Sequence, residues 1–237
     1  MNNKKTKTTK KNIIKKKVKI NYKRIFLFIL FLFLIIIINI YIIKLPLKNI
    51  YVSGCFNVSE QTIIELANIQ EYPPFLFLNK NKMERKIKAN PFVKKVNVEK
   101  KFFGKVEIKI EENRILFVDD FNKKLILENN KKVEIENFSN DVPLLVNNVF
   151  NKKYNIFINK MSLLNDEILF KISEIKYIPN SIDDELFLLT MNDGNYIYAT
   201  LRTFERINKY IEIYPTLENK KGILYLDSGK YFEIKEW

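Results

Sequence analysis

The chain has 237 residues, with 41 Lys and Arg against 27 Asp and Glu, one Cys and no His. Without imidazole there is no His general base, no His-based triad and no His-ligated metal, and Cys55 alone excludes an intramolecular disulfide or a CxxC site. The length fits one large domain or two small ones, and seven Pro with five Gly are too few for a linker-rich or collagenous chain.

The net charge of +14 is concentrated at one end. Residues 1–24 hold ten Lys and one Arg and no acid, leaving 30 basic against 27 acidic residues elsewhere. Directly after this basic cytoplasmic tail comes Ile25 to Ile43, in which Asn39 is the sole polar residue. As a helix this stretch would rise about 28 Å, close to the roughly 30 Å hydrocarbon thickness of a bilayer. Tyr22 and Tyr41 fall where interfacial rings belong. Lys44-Leu45-Pro46 follows with no small-residue cleavage pattern, so residues 25–43 read as an uncleaved transmembrane helix rather than a signal peptide. The positive-inside rule keeps the N-terminus in the cytoplasm and puts the body outside, a single-pass type II arrangement. The tail is also expected to touch anionic lipid headgroups. No aromatic or helical readout pattern accompanies its charges, so no nucleic-acid partner is expected.

Residues 46–118 read as β-α-α-β-β. Leu47 to Val52 is strand-like, and Ser53-Gly54 turns the chain. Ser59 is a candidate N-cap for a helix carrying Ile63, Leu66 and Ala67 on one face. Asn79 or Asn81 can cap a second helix through Met83 and Ile87, which Asn90-Pro91 stops. Val96 and Val98, then Val106, Ile108 and Ile110, alternate as strands flanking Phe102-Phe103-Gly104.

Residues 119–237 read as a mostly antiparallel β domain with two helices. Lys124–Leu127 and Lys132–Ile135 predict a hairpin around Asn129-Asn130. Leu164, Ile168, Ile172 and Ile175 recur at helical spacing. Leu186–Met191 and Tyr196–Leu201 flank Asp193-Gly194, which predicts a type I′ turn. Phe204, Ile207 and Ile211 mark a second helix, and Gly222–Leu226 with Lys230–Ile234 close the chain as strands.

Catalytic patterns do not rise above background. Ser173-Glu174-Ile175-Lys176 fits S-x-x-K, but the companion S-D-N and K-T-G segments are missing, so it reads as a surface stretch of an amphipathic helix. Asp119-Asp120 and Asp183-Asp184 read as solvated turn residues rather than metal ligands. Cys55 beside Gly54 reads as a small turn-side residue. Neither a metal, a cofactor nor a small-molecule substrate is implied. What remains is binding. The closing strands are expected to leave an edge whose unpaired N–H and C=O groups template a partner strand, with Leu224, Tyr225, Leu226, Tyr231 and Phe232 beside it.

The order of these features resembles the FtsQ/DivIB family of bacterial division proteins. The matching text is Ile50-Tyr51-Val52-Ser53-Gly54, Val58-Ser59, Asn90-Pro91-Phe92-Val93, Val106 to Glu112 and Val142-Pro143-Leu144-Leu145-Val146-Asn147. This chain departs from it with Phe102-Phe103-Gly104 where the family has a proline turn, and with Asn147 where it has glycine. The resemblance implies an α+β protein: one N-terminal transmembrane helix, a POTRA module and the family's β domain. It implies a non-enzymatic scaffold at the division septum that joins the single-span proteins FtsL and FtsB (DivIC) and controls septal peptidoglycan synthesis. It further implies that a segment of FtsB/DivIC adds along the terminal strand. Two alternatives stand beside it: a POTRA-bearing anchor of another envelope assembly, and a membrane-tethered hydrolase using Ser173 and Lys176.

Overall fold

The computed structural model describes residues 21–134 and 142–235. Most of the basic tail and Ile135 of the predicted hairpin lie outside the described residues. Helix α1, Tyr22–Ile43, starts three residues before the predicted span, because the N–H groups of Arg24 and Ile25 already donate to Asn21 O. Its 22 residues rise about 33 Å. No residue of α1 is buried by protein, as suits a helix whose solvent is lipid. Asn39 donates its side-chain amide to Ile35 O at 2.8 Å, which pairs one N–H that hydrocarbon would otherwise penalise.

The first module runs β1 (Asn49–Ser53), α2 (Glu60–Ala67), a 3-10 turn (Phe75–Phe77), α3 (Lys80–Lys88), β2 (Val93–Lys101) and β3 (Lys105–Glu112). Both helices start where a side chain accepts an otherwise orphaned N–H: Ser59 from Thr62 at 3.0 Å and Asn79 from Lys82 at 3.0 Å. The strands order as β1-β3-β2, with β1 parallel and β2 antiparallel to β3. Ile63 and Ala67 of α2 and Met83 and Ile87 of α3 bury against Val98, Val106, Ile108 and Ile110. Glu84 of α3 accepts the N–H of Val98 at 2.9 Å, which covers part of the β2 edge.

The second module contains β4 (Ile115–Asp119), β5 (Lys124–Leu127), β6 (Lys132–Glu134), β7 (Leu144–Leu145), α4 (Asn151–Met161), α5 (Asp166–Leu169), β8 (Ile172–Tyr177), β9 (Leu186–Met191), β10 (Tyr196–Thr200), α6 (Tyr210–Ile213) between two 3-10 segments, β11 (Gly222–Tyr225) and β12 (Tyr231–Ile234). They form one nine-stranded sheet ordered β12-β11-β10-β9-β8-β7-β4-β5-β6. Antiparallel pairs predominate, with parallel pairing of β4 to β7, β7 to β8 and β10 to β11. Phe157 of α4, Phe187 of β9 and Phe204 pack at the centre, with the Phe157 and Phe187 rings stacked 4.7 Å apart. Leu116 and Phe117 of β4 belong to this core, whereas Ile110 of β3 belongs to that of the first module.

Three expectations are corrected. Ile172 and Ile175 are not helical. They lie in β8, where a bulge between Ile172 and Glu174 advances the chain by one residue and turns both toward the core, which imitates helical spacing. The helix that packs there is α4, whose Tyr154, Phe157, Ile158 and Met161 form the true stripe. The turn at Asp193-Gly194 is not type I′. Gly194 alone is left-handed at φ +87, Gly194 N donates to Met191 O, and Met191 N donates to Asn195 O, a three-residue loop with a glycine bulge. The predicted helix from Phe204 breaks into 3-10, α and 3-10 pieces, with Pro215 in the first turn of the last.

The modules meet at Glu112-Asn113-Arg114. Glu112 accepts from the backbone N–H groups of Phe56, Asn57 and Val58. Buried Asn113 donates its side-chain amide to Pro91 O at 2.8 Å and its N–H to Phe92 O at 2.7 Å. Arg114 reaches Glu128, Asp166 and the carbonyls of Ser162 and Leu164. Burial alone would lower the Arg114 pKa, but the Glu128 and Asp166 carboxylates outweigh it and hold the guanidinium pKa above its ordinary value.

Gly54 has no substitute at its site: it adopts φ +84, and a Cβ there would stand 2.0 Å from Ile110 O. Gly194 shares the left-handed conformation, but a Cβ there meets nothing within 4 Å. Gly54→Ala is therefore expected to lower unfolding free energy by ~3 kcal/mol or more, and Gly194→Ala by only ~1 kcal/mol. Urea unfolding of the detergent-solubilised chain measures both, and equal losses would show that the close approach to Ile110 does not matter.

Candidate functional site

The nine-stranded sheet ends at β12, whose outer side has no strand beside it among the described residues. β12 pairs antiparallel with β11 through Gly222↔Ile234, Ile223↔Glu233, Leu224↔Phe232 and Tyr225↔Tyr231. Lys235 N donates to Lys221 O at 2.9 Å. Hydrogen-bonded and non-bonded pairs alternate along such a ladder, so Phe232 and Ile234 turn their N–H and C=O groups to the open edge.

A polar knot behind the edge sets its position. Asn195, fully buried, donates to the Tyr210 hydroxyl at 2.9 Å and accepts the Gly222 N–H at 2.9 Å. Tyr210 donates onward to Asp193 at 2.6 Å, and Lys221 Nζ donates to Asp193 O. The hairpin turn, α6 and the start of β11 are thereby tied at one point. Gly222 is required here as well, since a Cβ would stand 2.0 Å from Glu233 O.

The two faces of the edge differ. Leu224 and Leu226 are each only 2% exposed and belong to the core, with Phe232 packed partly against it. On the opposite face Tyr198, Tyr225 and Tyr231 form a ladder across three strands, with ring centroids 5.3 and 4.6 Å apart and planes nearly parallel. Tyr231 is 52% exposed and Ile234 is exposed on the other face. Burial and the Glu233 carboxylate, which accepts the Tyr225 hydroxyl at 3.0 Å, push that phenol up to about 12. Tyr198 and Ile234 were not singled out in the sequence. The alternation of Tyr231-Phe232-Glu233-Ile234 pointed to Ile234, whereas nothing local pointed to Tyr198, which joins the ladder only through parallel pairing of β10 with β11.

The other candidates are placed elsewhere. Ser173 and Lys176 lie on strand β8, not on a helix, and in extended chain three residues span about 10 Å. The Ser173 hydroxyl donates to Thr190 O at 3.1 Å. Asp119 is not a solvated turn residue: it is buried and accepts from Tyr154 OH at 2.6 Å and from both nitrogens of Asn122. Asp120 pairs with Lys123 at the surface, and exposed Asp184 pairs with Lys153. Cys55 packs partly against the first core, and burial, then Glu112 and Glu60, push its thiol up, away from the reactive thiolate.

The geometry defines a membrane-anchored protein with a POTRA-type module and an open-edged sheet, and comparison with known proteins makes the class specific. The family of FtsQ-type POTRA domains matches residues 45–113. Cell division protein DivIB of Bacillus subtilis (strain 168) is 36% identical over 191 residues, covering 78% of this chain and 72% of that protein. DivIB of Bacillus anthracis is 30% identical over 226 residues, covering 92% and 84%. The solved major extracytoplasmic domain of DivIB from Geobacillus stearothermophilus aligns with 46% of this chain and 96% of that one, at 24% identity and a TM-score of 0.38, a likeness too slight to argue from. The chain belongs to the DivIB family of cell division proteins, and its role is in cell division.

Three variants test this account of the edge. Asn195→Leu strands the Gly222 N–H and the Tyr210 hydroxyl, and is expected to cost about 2–4 kcal/mol in urea unfolding. In an absorbance titration, Tyr225→Phe is expected to remove a phenolate transition near pH 12. Glu233→Gln should lower that transition while burial still holds it above the ordinary tyrosine value. The sign follows: a raised folded-state pKa gives stability that is complete below pH 10 and lost as pH climbs through about 12.

Proposed function

We propose that this chain is a non-enzymatic scaffold of the division site, and that β12 is the place where its partner is held. An extended segment of a small single-span division protein of the FtsB/DivIC kind adds as a further strand, with FtsL joining the same assembly. The observation that carries this is the open edge. Phe232 and Ile234 offer main-chain groups to a new strand, and the Tyr198-Tyr225-Tyr231 ladder offers a flat apolar face that an incoming side chain extends. Leu224 and Leu226 back the edge from the core, while Tyr225, Tyr231 and Phe232 meet the partner. The basic tail stays in the cytoplasm against anionic lipid, the body stands outside, and the assembly licenses septal peptidoglycan synthesis at midcell.

Ile234→Pro separates this reading from side-chain docking. Proline removes one outward N–H and is tolerated at a sheet edge, whereas Ile234→Ala trims the side chain and keeps the N–H. Co-purification with FtsL and DivIC, using the full chain, should show at least tenfold weaker capture for Ile234→Pro and a smaller loss for Ile234→Ala. Equal capture by wild type and Ile234→Pro would remove strand addition from the account. An N-terminal fluorescent fusion should band at midcell, and a uniform membrane signal from a functional fusion would count against the septal role.

A further inference from the structure

The first module carries an apolar surface that its own core does not use. Phe102 and Phe103, at the tip of the β2–β3 hairpin, are 88% and 85% exposed. Phe77 in the 3-10 turn is 73% exposed, with Leu76 exposed beside it. Scattered exposed rings need no explanation, but Leu76, Phe102 and Phe103 converge on one place, and Phe77 is the next residue along.

That place is the exit of α1. Phe75 N donates to Leu45 O at 3.0 Å, Leu47 N to Pro73 O at 3.0 Å, and Lys48 N to Gly104 O at 2.7 Å. Pro46 and Pro74 form an isolated bridge. Both loops are therefore strapped by main-chain bonds to the residues that follow the last turn of the helix. A shallow recess of about 350 Å³ shows the continuity, since Ile42 and Leu45 line it together with Phe75, Leu76, Phe102 and Phe103.

Two further observations point to lipid as the occupant. Exposed Lys48 lines the same recess, and Lys44 beside Leu45 and Lys105 beside Gly104 are also exposed, which gives the aromatic-plus-cation composition that favours the headgroup region. Phe103 also sits at φ +64, a left-handed conformation that a bulky side chain rarely adopts, and a turn built for stability alone would use Gly or Asn. The ring at that position is left exposed.

We propose that the first module docks on the bilayer. Phe102 and Phe103, with Leu76 and Phe77, enter the boundary between headgroups and acyl chains of the leaflet from which α1 emerges. This fixes the tilt of the β1-β3-β2 sheet against the membrane. The inference rests on α1 crossing the bilayer and is independent of what adds at β12.

Depth-dependent quenching tests it. The full chain, carrying Trp237→Phe to remove its native indole, is placed in phosphatidylethanolamine–phosphatidylglycerol vesicles containing acyl-brominated lipid. Single variants then carry one probe each: Phe102→Trp, Phe77→Trp, Phe33→Trp within α1, and Phe56→Trp at the far end of β1. The Phe33→Trp probe reports whether α1 is inserted. Given that, the Phe102→Trp and Phe77→Trp probes are expected to lose about half of their emission, as for interfacial rings. The Phe56→Trp probe, one strand length away, is expected to lose almost none. If the Phe102→Trp and Phe77→Trp probes emit as in water and match Phe56→Trp, docking is wrong although the span stands. If they are shielded from aqueous iodide yet unquenched by bromolipid, a protein surface or a second copy covers the patch, and the proposal falls as well. An unquenched Phe33→Trp probe would instead overturn the membrane reading on which the proposal rests.

Discussion

The architecture turns on three successive residues, Glu112, Asn113 and Arg114. They are consecutive in the chain, at the end of β3 and in the two residues that lead into β4, so one short stretch grips both modules at once. Glu112 reaches back to three main-chain N–H groups of the loop after β1, and Asn113 reads both carbonyls of the Pro91-Phe92 turn. Arg114 faces forward, with its fork spread over Glu128, Asp166 and two carbonyls at the end of α4. A lysine could not replace that fork, because a single ammonium cannot satisfy planar acceptors in four directions. Glu128 is also met by Lys94 of β2, so the carboxylate is shared by cations from both modules. Burial pushes the Glu128 pKa up, but the Arg114 and Lys94 hydrogen bonds prevail and hold it below the ordinary value.

Much of this was legible in the sequence, for physical reasons that can be named. The span, the caps at Ser59 and Asn79 and the strict alternation from Val106 to Ile110 are local signals, and each element follows its own pattern. The errors arose where tertiary pairing overrides local period. Ile172 and Ile175 took helical spacing from a bulge, and Asp119 looked like a turn carboxylate because its partner Tyr154 lies 35 residues away. Helix α4 was missed since Asn, Lys and Tyr in its sequence hide a stripe that only the core makes apparent.

The candidate edge shows the same division. Tyr225, Tyr231 and Phe232 could be chosen from the strand pattern alone, but Tyr198 could not, because parallel pairing of β10 to β11 requires the excursion through α6. That excursion is held by buried Asn195. A buried amide is costly unless all of its groups are paired, and here it binds Tyr210 on one side and Gly222 on the other. Its position next to Asp193-Gly194 had marked it only as part of a turn.

These features form one mechanical chain. The helix exit is strapped to the first sheet through Leu45, Leu47 and Lys48, that sheet is fixed to the second through the Glu112-Asn113-Arg114 joint, and the second ends in an edge set by the Asn195 knot. None of these connections is a long linker. If a partner strand adds at β12 as proposed, it would meet main-chain groups whose height and direction are tied to α1 by packed elements rather than by a tether. For a protein whose family works in cell division and whose own partners would also be anchored in the bilayer, that constraint is chemically useful. Under the proposed strand addition it would limit the edge to strands presented at one distance from the end of α1 and in one orientation, so selectivity would come from geometry even though main-chain hydrogen bonds themselves carry no sequence information.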